Sequence, residues 1–453
     1  MSRAIHIFRR DLRIHDNTAL RRACEAHDEV LPVFCADPRQ LEDNEYRSDN
    51  AVQFMVESLQ ELREELRSLD SELHIYNDKP GNVVKHIDPD AVYINQDVTP
   101  FSKKRDNALQ NIVENNGATF HSCHDAYLAK PGTIKTQKGT MYKVYSSYKK
   151  KAEKTTDVPK PQSVETKPLT TLENYSFPDD VWNHMLGDVN DALKVHGGRG
   201  LGLSILDDVE QYADYDEDRE YPDLDATTHL SAYLKFGCVS PREAYWALRE
   251  EFGASHGLIT ELWWRDFYAH LLDAYPRVLN NNMKEKYDAI PWREDPEGLQ
   301  RWKKGRTGVP IVDAAMRQLT STGWMHNRCR MIVASYLCKD LRVHWKEGEK
   351  FFAQHLVDYD PASNNGGWQW AASTGADSQP YFRIFNPWRQ QERYDEDAEY
   401  IKTYVPELRG MSAEGIHGLE DAPVPDDVEY PEQIVDHSEA AKKTKEVFKK
   451  ALN

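Results

Sequence analysis

Apolar positions in the first 130 residues fall into short runs rich in β-branched and aromatic residues, with longer amphipathic stretches between them. The runs lie at 3–8, 29–35, 72–76, 91–96 and 118–122. In the stretches between them, such as 49–69, apolar residues recur at three- and four-residue spacing, which predicts helices. Consecutive parallel strands need a connection of about a dozen residues or more, usually a helix. The pattern therefore predicts a Rossmann-like parallel sheet covered by helices.

Strand patterns fade after residue 200, and helical spacing dominates the rest of the chain. The segments predicted as helices are 228–252, 258–275, 309–321, 324–342 and 347–356. Residues 131–200 are rich in Lys, Thr and Pro and show weak periodicity, which is typical of a connection. The sequence thus predicts an α/β domain at 1–130, an interdomain linker at 131–200 and an all-α domain at 201–453.

The composition is typical of an intracellular globular protein. No apolar run reaches the length of about 18 residues that a membrane helix would need. The first residues, MSRAIHIFRRDLR, lack the apolar core of a signal peptide. The six cysteines are scattered without a CxxC pair, as reduced thiols usually are. We therefore expect a cytoplasmic protein, or a nuclear one in a eukaryote.

The formal net charge is −18, which taken alone argues against a nucleic-acid partner. Phosphate contact, however, needs only a local basic face. From Trp292 to Trp345, ten Lys or Arg stand against five Asp or Glu. The acidic surplus is concentrated instead at 207–225 and 391–432. The charge pattern therefore leaves nucleic acid open as a partner.

The common phosphate and metal motifs are absent from the sequence. The segment HGGRGLGLS at 196–204 has Leu203 where a dinucleotide fingerprint needs its third glycine. Residues 214–218, DYDED, begin like a calcium loop, but Arg219 holds the position that needs glycine. There is no Walker A motif and no HExxH. We predict no metal site, and a main cofactor that lies away from the first strand.

The densest chemistry lies between Trp324 and Trp370. Nine of the eleven tryptophans fall between Trp263 and Trp388, and in this stretch they adjoin Arg, Asp and Asn in GWMHNRCRM and DYDPASNNGGWQW. Soluble proteins bury a few indoles as core. Indoles beside polar side chains favour a flat aromatic ligand, a stacked base or an electron path.

Several long motifs resemble those of the photolyase and cryptochrome flavoproteins, in order and over nearly the whole chain. They are FRRDLRIHDNTAL (8–20), TTHLSAYLKFGCVSPRE (227–243), ELWWRDFY (261–268), TGVPIVDAAMRQLTSTGWMHNRCRM (307–331), NNGGWQWAAS (364–373) and YFRIFNP (381–387). Within the family the chain is most similar to class I cyclobutane pyrimidine dimer photolyases. The resemblance implies an α/β antenna-binding domain followed by an α-helical catalytic domain that binds FAD and DNA.

The resemblance also implies FAD contacts. The predicted pyrophosphate contacts are Tyr215, Thr227, Thr228 and Ser231, although Thr-Thr-x-x-Ser is also an ordinary helix N-cap pattern. The other predicted FAD contacts are His229, Leu230, Arg265, Asn327, Arg330, Asp358, Tyr359, Asp360 and Asn364. Asp358 would pair with Arg330 beside the isoalloxazine ring, whose reduced anion the cation would stabilise. Asn364 would face flavin N5 and help to keep the flavin reduced.

Two further groups take catalytic roles by resemblance. Trp292, Trp345 and Trp368 match the chain of tryptophans that reduces the flavin in light, whereas composition alone would make each of them core. Glu261 would share a proton or hydrogen bond with thymine carbonyls as negative charge develops there. The predicted contacts to a flipped dimer and its DNA are Arg219, Glu261, Trp264, Arg265, Asn327, Arg328, Met331 and Trp370.

An antenna pigment is implied for the first domain. The segment YINQDVTPFSKKRD (93–106) resembles the deazaflavin-binding version of the family, with Cys35, Asp97 and Lys235 as contacts. Folate-binding relatives carry Asn-Glu where this chain has Phe101 and Ser102. The resemblance therefore favours 8-hydroxy-5-deazaflavin over methenyltetrahydrofolate.

The function implied is light-driven repair of DNA, by electron transfer from excited reduced FAD to a cyclobutane pyrimidine dimer. One alternative is a (6–4) photolyase, which has a His pair where this chain has His326 and Asn327. The other is a cryptochrome photoreceptor, for which a long disordered C-terminal tail would be expected. We expect the partner to be UV-damaged DNA, double- or single-stranded, and the protein to act as a monomer without a membrane.

Overall fold

A computed structural model describes residues 2–42, 44–378 and 380–452. Its first part contains a five-stranded parallel sheet in the order β3-β2-β1-β4-β5. The strands are β1 (Arg3–Phe8), β2 (Glu29–Cys35), β3 (His74–Tyr76), β4 (Ala91–Asn95) and β5 (Thr119–Cys123). All five lie where the apolar runs predicted strands, so the predicted parallel sheet is confirmed.

The central strands are apolar on both faces because helices cover both. On one face Ile5 and Ile7 pack with Val83 and Leu109, and on the other Phe8 belongs to the largest cluster of the molecule. The flanking helices are α1 (Thr18–Ala26), α2 (Pro38–Leu41), α3 (Asp49–Ser68), α4 (Pro80–Ile87) and α5 (Pro100–Asn115). Continuous rather than alternating apolar runs are typical of such buried parallel strands.

The segment predicted as a linker contains helices of its own. These are α6 (Tyr145–Thr155), α7 (Val181–Met185) and the start of α8 (Arg199–Asp207). Helix α6 docks on the helical domain through Tyr145, Tyr148 and Ala152, which are buried. Their spacing is helical, but the Lys-rich surroundings masked it in the sequence.

The second part is helical, as predicted. Its helices are α9 (Tyr215–Asp218), α10 (Leu230–Phe236), α11 (Pro241–Phe252), α12 (Gly257–Ala274), α13 (Pro296–Lys303), α14 (Pro310–Thr322), α15 (Asn327–Ser335), α16 (Trp345–His355), α17 (Pro361–Ala371), α18 (Pro387–Tyr394), α19 (Glu399–Tyr404), α20 (Ala413–His417) and α21 (His437–Leu452). Two predicted helices are shorter than expected, since 228–252 divides into α10 and α11 and 324–342 becomes α15 followed by a π turn at Tyr336–Asp340.

The break between α10 and α11 has a steric cause. Gly237 has a φ of +69°, and a Cβ there would come within 2.2 Å of the Arg10 carbonyl oxygen. Helix α11 then starts at Ser240, whose side chain forms a capping box with Glu243. The loop after β1 therefore lies directly against the turn that joins two helices of the second domain.

Buried ion pairs join the two domains at this point. The Arg13 guanidinium donates to Asp125 at 2.5 Å, and both side chains are 1 % exposed. From α11, Arg242 donates to Asp16 at 2.8 Å and to Asp125 at 2.7 Å. Two arginines and two aspartates from three segments thus satisfy each other away from water.

Among the described helices, none is both long and apolar enough to cross a bilayer. The six cysteines are free and buried.

Removing one carboxylate from the buried pairs should be costly. Asp125→Asn leaves Arg13 and Arg242 buried without their shared anion, so the free energy of unfolding should fall by about 3–5 kcal/mol. Urea unfolding followed by circular dichroism measures this. Glu64→Gln is the control, because its pair with Arg67 is exposed and should contribute under about 1 kcal/mol.

The same pair gives the stability a pH dependence. Burial by itself raises the pKa of Asp125, but the Arg13 and Arg242 guanidinium groups outweigh it, so the pKa lies well below its ordinary value. A lowered pKa contributes stability that is present above the unfolded pKa of about 4 and lost as the pH falls. Wild type should therefore lose more stability than Asp125→Asn on acidification below that pH; parallel pH curves would contradict the assignment.

Candidate active site

The centre of the helical domain holds a three-way polar contact. Asp358 accepts from Arg330 at 3.0 and 3.2 Å and from the Ser231 hydroxyl at 2.7 Å. The three residues come from the loop before α17, from α15 and from α10. The structure thus brings together three residues that the sequence placed beside FAD, with a buried carboxylate bound by a guanidinium.

The turn before α10 carries two buried polar atoms that have no partner within the described protein. His229 has a left-handed φ of 53°, and the Thr228 hydroxyl accepts from the Leu230 amide at 3.3 Å. Among the described residues, Thr227 Oγ1 and His229 Nδ1 are buried without a hydrogen-bond partner. Buried polar atoms normally find partners, so this turn fits a polar ligand, and the Thr227 hydroxyl could donate to an acceptor such as a diphosphate oxygen.

Asn364 lies on α17, which follows the loop that carries Asp358. Its Nδ2 donates to the Glu349 backbone oxygen at 3.0 Å and to Glu349 Oε1 at 3.3 Å. Burial raises the pKa of Glu349 to about 7. The Tyr359 ring stacks on Tyr46 at 6.4 Å. Glu349 was missed in the sequence, because a glutamate within a helix is ordinarily a solvated residue.

Asp360, which the resemblance places beside FAD, has protein partners on both of its carboxylate oxygens. One carboxylate oxygen caps α17 by accepting from the amides of Ala362 and Ser363. The other accepts from Arg10 at 2.5 Å. Arg10, which lies in the motif at 8–20 but was given no role there, thus links Asp360 to the first domain.

Arg10 also contacts the predicted antenna residues. Its second guanidinium nitrogen lies 3.3 Å from Asp97, and its Nε donates to the backbone oxygen of Lys235 at 3.0 Å. Burial lowers the pKa of Lys235 to about 8, with Arg10 acting in the same direction. Cys35 ends β2, where it is buried. The structure therefore gathers Asp97 and Lys235 in one charge cluster with Asp360.

The predicted dimer pocket has an acid and a flat wall. Glu261 on α12 accepts from Arg219 at 2.6 Å, and its side chain is 37 % exposed. Burial raises the pKa of Glu261, while Arg219 lowers it. Tyr215 lies next to this pair, with the Arg219 guanidinium 5.3 Å from its ring.

Trp264 stands one helical turn further along α12. Its indole stacks on the Tyr145 ring, with 3.6 Å between ring centres and an 8° interplanar angle, and on the Tyr268 ring, with 5.6 Å between ring centres. Tyr145 was missed, because it belongs to the segment predicted as a linker. Trp370 packs against Phe385 at 6.3 Å.

The other predicted DNA contacts differ in accessibility. Asn327 is exposed, and its Nδ2 lies 4.0 Å from the Met331 sulfur. Arg328 pairs with Glu220 and lies 4.4 Å over the Tyr394 ring. Arg265 instead donates to the backbone oxygens of Ala126 and Leu234. Its guanidinium thus links the two domains.

The three tryptophans of the predicted electron path run from the core to the surface. Trp368 is buried against Phe352 at 4.9 Å and Trp302 at 6.1 Å. Trp345 is fully buried, and its Nε1 donates to Asn282 at 2.9 Å. Gly348, three residues later on α16, touches the Trp368 indole, since a Cβ there would come within 2.0 Å of it. Trp292 is half-buried.

Comparison with known proteins agrees with this geometry. Residues 4–166 match the family model described as DNA photolyase, and residues 258–450 match the FAD binding domain of DNA photolyase. The chain belongs to the DNA photolyase family. The predicted family and fold class are confirmed, and the main cofactor of the helical domain is FAD.

Individual relatives match over nearly full length. The deoxyribodipyrimidine photo-lyase of Halobacterium salinarum is 37 % identical, with 98 % of each chain covered. An archaeal photolyase from Sulfolobus tokodaii, solved with two FAD molecules, has a TM-score of 0.90 and 39 % identity, with 99 % of this chain and 100 % of that chain covered. A cryptochrome from Synechocystis has a TM-score of 0.89 and 27 % identity over 99 % of each chain.

The residues of the helical domain fit FAD. Thr227 and His229 offer buried polar atoms without protein partners in the described structure, and the Thr227 hydroxyl could donate to a diphosphate oxygen. Arg330 and Asp358 form a charged pair, and Asn364 presents an amide nearby. These residues would hold the cofactor, which supplies the photochemical electron.

Proposed function

We propose that this protein is a light-driven lyase that splits cyclobutane pyrimidine dimers in DNA. The observation that carries the proposal is the Glu261 carboxyl, held at 2.6 Å by Arg219 beside the stacked indole of Trp264 in a photolyase FAD domain. Full-length relatives named deoxyribodipyrimidine photo-lyase support the assignment. It would act as a monomer on dimers in double- or single-stranded DNA.

The protein's own groups would position and polarise the substrate. A dimer extruded from the helix would lie against Trp264 and Trp370, because unstacking a damaged pair costs less than unstacking a normal one. Glu261 would donate to, or share a proton with, a thymine carbonyl while negative charge develops there. The raised pKa of Glu261 supports this role, since it favours the protonated donor. Arg330 would stabilise the negative flavin.

Replacing Glu261 tests this function. Glu261→Ala should keep the fold and the bound FAD yet lower the repair yield, because a hydrogen bond to a charged group contributes about 1.5–3 kcal/mol. The measurement is flash-induced repair of a thymine-dimer oligonucleotide per absorbed photon, on protein with chemically reduced FAD. Glu250→Gln, which removes an exposed carboxylate paired with Lys160, is the control. An unchanged yield in Glu261→Ala would remove Glu261 from the mechanism.

For the antenna we propose a deazaflavin in preference to a folate. Asp97 and Lys235 lie in the same charge cluster as Arg10. Folate-binding relatives carry Asn-Glu at the positions of Phe101 and Ser102. The second FAD in the Sulfolobus tokodaii photolyase makes a further flavin the rival occupant of this position.

Reconstitution separates these pigments. Protein mixed with the deazaflavin, FAD or the folate should retain the deazaflavin after gel filtration, seen as a violet absorbance in addition to that of the flavin. Asp97→Ala and Lys235→Ala should lose this violet band and keep one FAD per chain, whereas Lys104→Ala, an exposed change on α5, should lose neither. Retention of two FAD molecules, or of folate alone, would contradict the proposal.

A further inference from the structure

The last helix, α21, presents a stripe of positive charge on an acidic protein. It carries five lysines against two glutamates, whereas the whole chain has a net charge of −18. Lys442, Lys445 and Lys449 are exposed, and their spacing of three and four residues puts them on one flank. Thr444 and Phe448, on another side, are buried in the domain. The stripe is about 10 Å long, at 1.5 Å per residue.

This helix is joined to the dimer pocket by aromatic contacts. The ring centres of Trp370 and Phe385 are 6.3 Å apart. Tyr381, in the same loop as Phe385, stacks on Phe448 of α21 with 6.0 Å between ring centres and a 19° interplanar angle. Trp292 also meets Phe448, at 5.9 Å. The lysine stripe therefore belongs to an element that packs against the loop beside one wall of the pocket.

A second basic group connects the stripe with the opposite wall. Lys143 precedes Tyr145, which stacks on Trp264, by two residues. The turn Glu285–Ala289, which packs on α21, carries Lys286, and Lys284 precedes that turn. Burial, Lys286 and Lys143 all lower the pKa of Lys284. The Lys284 and Lys286 ammonium groups lie 5.6 and 5.3 Å from the centre of the same Tyr287 ring, and that of Lys143 lies 4.9 Å from the centre of the Tyr275 ring. Among the described residues, none of the three lysines has a carboxylate within 4.0 Å.

We propose that the α21 stripe, with Lys143, Lys284 and Lys286, binds the phosphates of the duplex that flanks the dimer. This inference rests on the proposed function. Clustered cations without carboxylate partners repel one another, and a polyanion that lies across them would relieve the repulsion. Continuity with both walls of the pocket makes DNA, rather than a separate anionic protein, the partner that fits.

The slope of binding against salt tests the stripe. The triple variant Lys442→Gln, Lys445→Gln, Lys449→Gln and wild type are titrated with a labelled long duplex that carries one thymine dimer, over a range of potassium chloride. Each phosphate contact contributes about −0.9 to the slope of log affinity against log salt. The negative slope of the variant should therefore be shallower than that of wild type by about 2–3. On a duplex trimmed to a few base pairs around the dimer, the two proteins should bind alike.

Matched variants make the result specific. Lys79→Gln, Lys85→Gln, Lys104→Gln removes the same charge from exposed positions in and beside α4 and α5, and it should leave the slope unchanged. Exchanging the stripe lysines for arginines should restore it. Equal slopes for wild type and the stripe variant on the long duplex would overturn the inference. A flat salt dependence of wild type itself would instead overturn the proposed function.

A second observation concerns the two outer tryptophans of the electron path. The His344 imidazole contacts both of them, with its ring centre 5.2 Å from that of Trp292 and 5.4 Å from that of Trp345. His344 is also the N-cap of α16, because its Nδ1 accepts from the Lys346 amide at 3.1 Å. That bond leaves the proton on Nε2, so the ring is a neutral spacer without a free basic nitrogen.

We infer that His344 is a positioning residue that couples Trp292 to Trp345 during light-driven flavin reduction, an inference that rests on the proposed electron path. One electron passes from Trp292 to the Trp345 radical cation. Trp345 returns to its neutral form and keeps its N–H, which stays hydrogen-bonded to Asn282. The Trp292 radical cation then releases its indole proton to water. A neutral ring in contact with both indoles adds no charge that would oppose a radical cation on either of them. Burial and Lys346 lower the pKa of His344 to about 4, although Asp288 acts in the opposite direction.

Two variants separate the ring from the cap. His344→Asn keeps an oxygen that can cap α16 but removes the aromatic bridge, so transient absorption should show a longer-lived Trp345 radical cation and the yield of photoreduced flavin should fall severalfold. His344→Phe keeps a ring and loses the cap, so the melting temperature should fall while the radical still reaches Trp292. Trp292→Phe sets the level expected when the outer step is lost. A wild-type radical lifetime in His344→Asn would overturn the inference. If all of these variants, Trp292→Phe included, still photoreduce the flavin normally, the electron path itself is overturned.

Discussion

Charge pairing between the end of the sheet and the helical domain sets the position of everything else. The loop after β1 supplies Arg10, Arg13 and Asp16 within seven residues, and each meets a group from the second domain or from the end of another strand. Because an unpaired buried charge is costly, the two domains can pack in only one register. The loop before α17, which leads to Asn364 and Trp368, is fixed by the same pairing through Asp360.

Within that register the tryptophans occupy three kinds of position. Trp302 and Trp388 are fully buried core. Trp345 and Trp368 are equally buried but lie on the packed helices α16 and α17 and belong, with Trp292, to the predicted electron path. Trp264 and Trp370 are only half-buried, and since Trp264 stacks on Tyr145, only the uncovered part of its indole could meet a base. Burial and neighbours, rather than residue type, distinguish these positions.

The sequence predicted what depends on local pattern. The five strands, α3, α12 and α14 lie where apolar spacing placed them. Helix α6 was missed because three apolar positions in a Lys-rich segment give a weak signal. Arg10 was given no role for another reason: it meets Asp97 and Asp360 at separations of 87 and 350 residues, and no local pattern encodes such contacts. Glu349 was missed because a glutamate within a helix is ordinarily solvated. The motif containing Arg265 was identified, but its bonds to backbone oxygens depend on the docked domains.

The acidic composition bears on the proposed DNA partner through the arginines of the predicted pocket. Arg219 and Arg328 are held by Glu261 and Glu220 in the protein alone, so a phosphate must compete with a carboxylate to reach them. If the proposed function holds, such contacts would add little to the binding of undamaged DNA. A dimer carbonyl that engaged Glu261 would take part of the partner of Arg219, which would then become available to the backbone of the extruded nucleotides. The pairing would in this way couple phosphate contact to occupation of the pocket and favour the lesion over the excess of normal duplex.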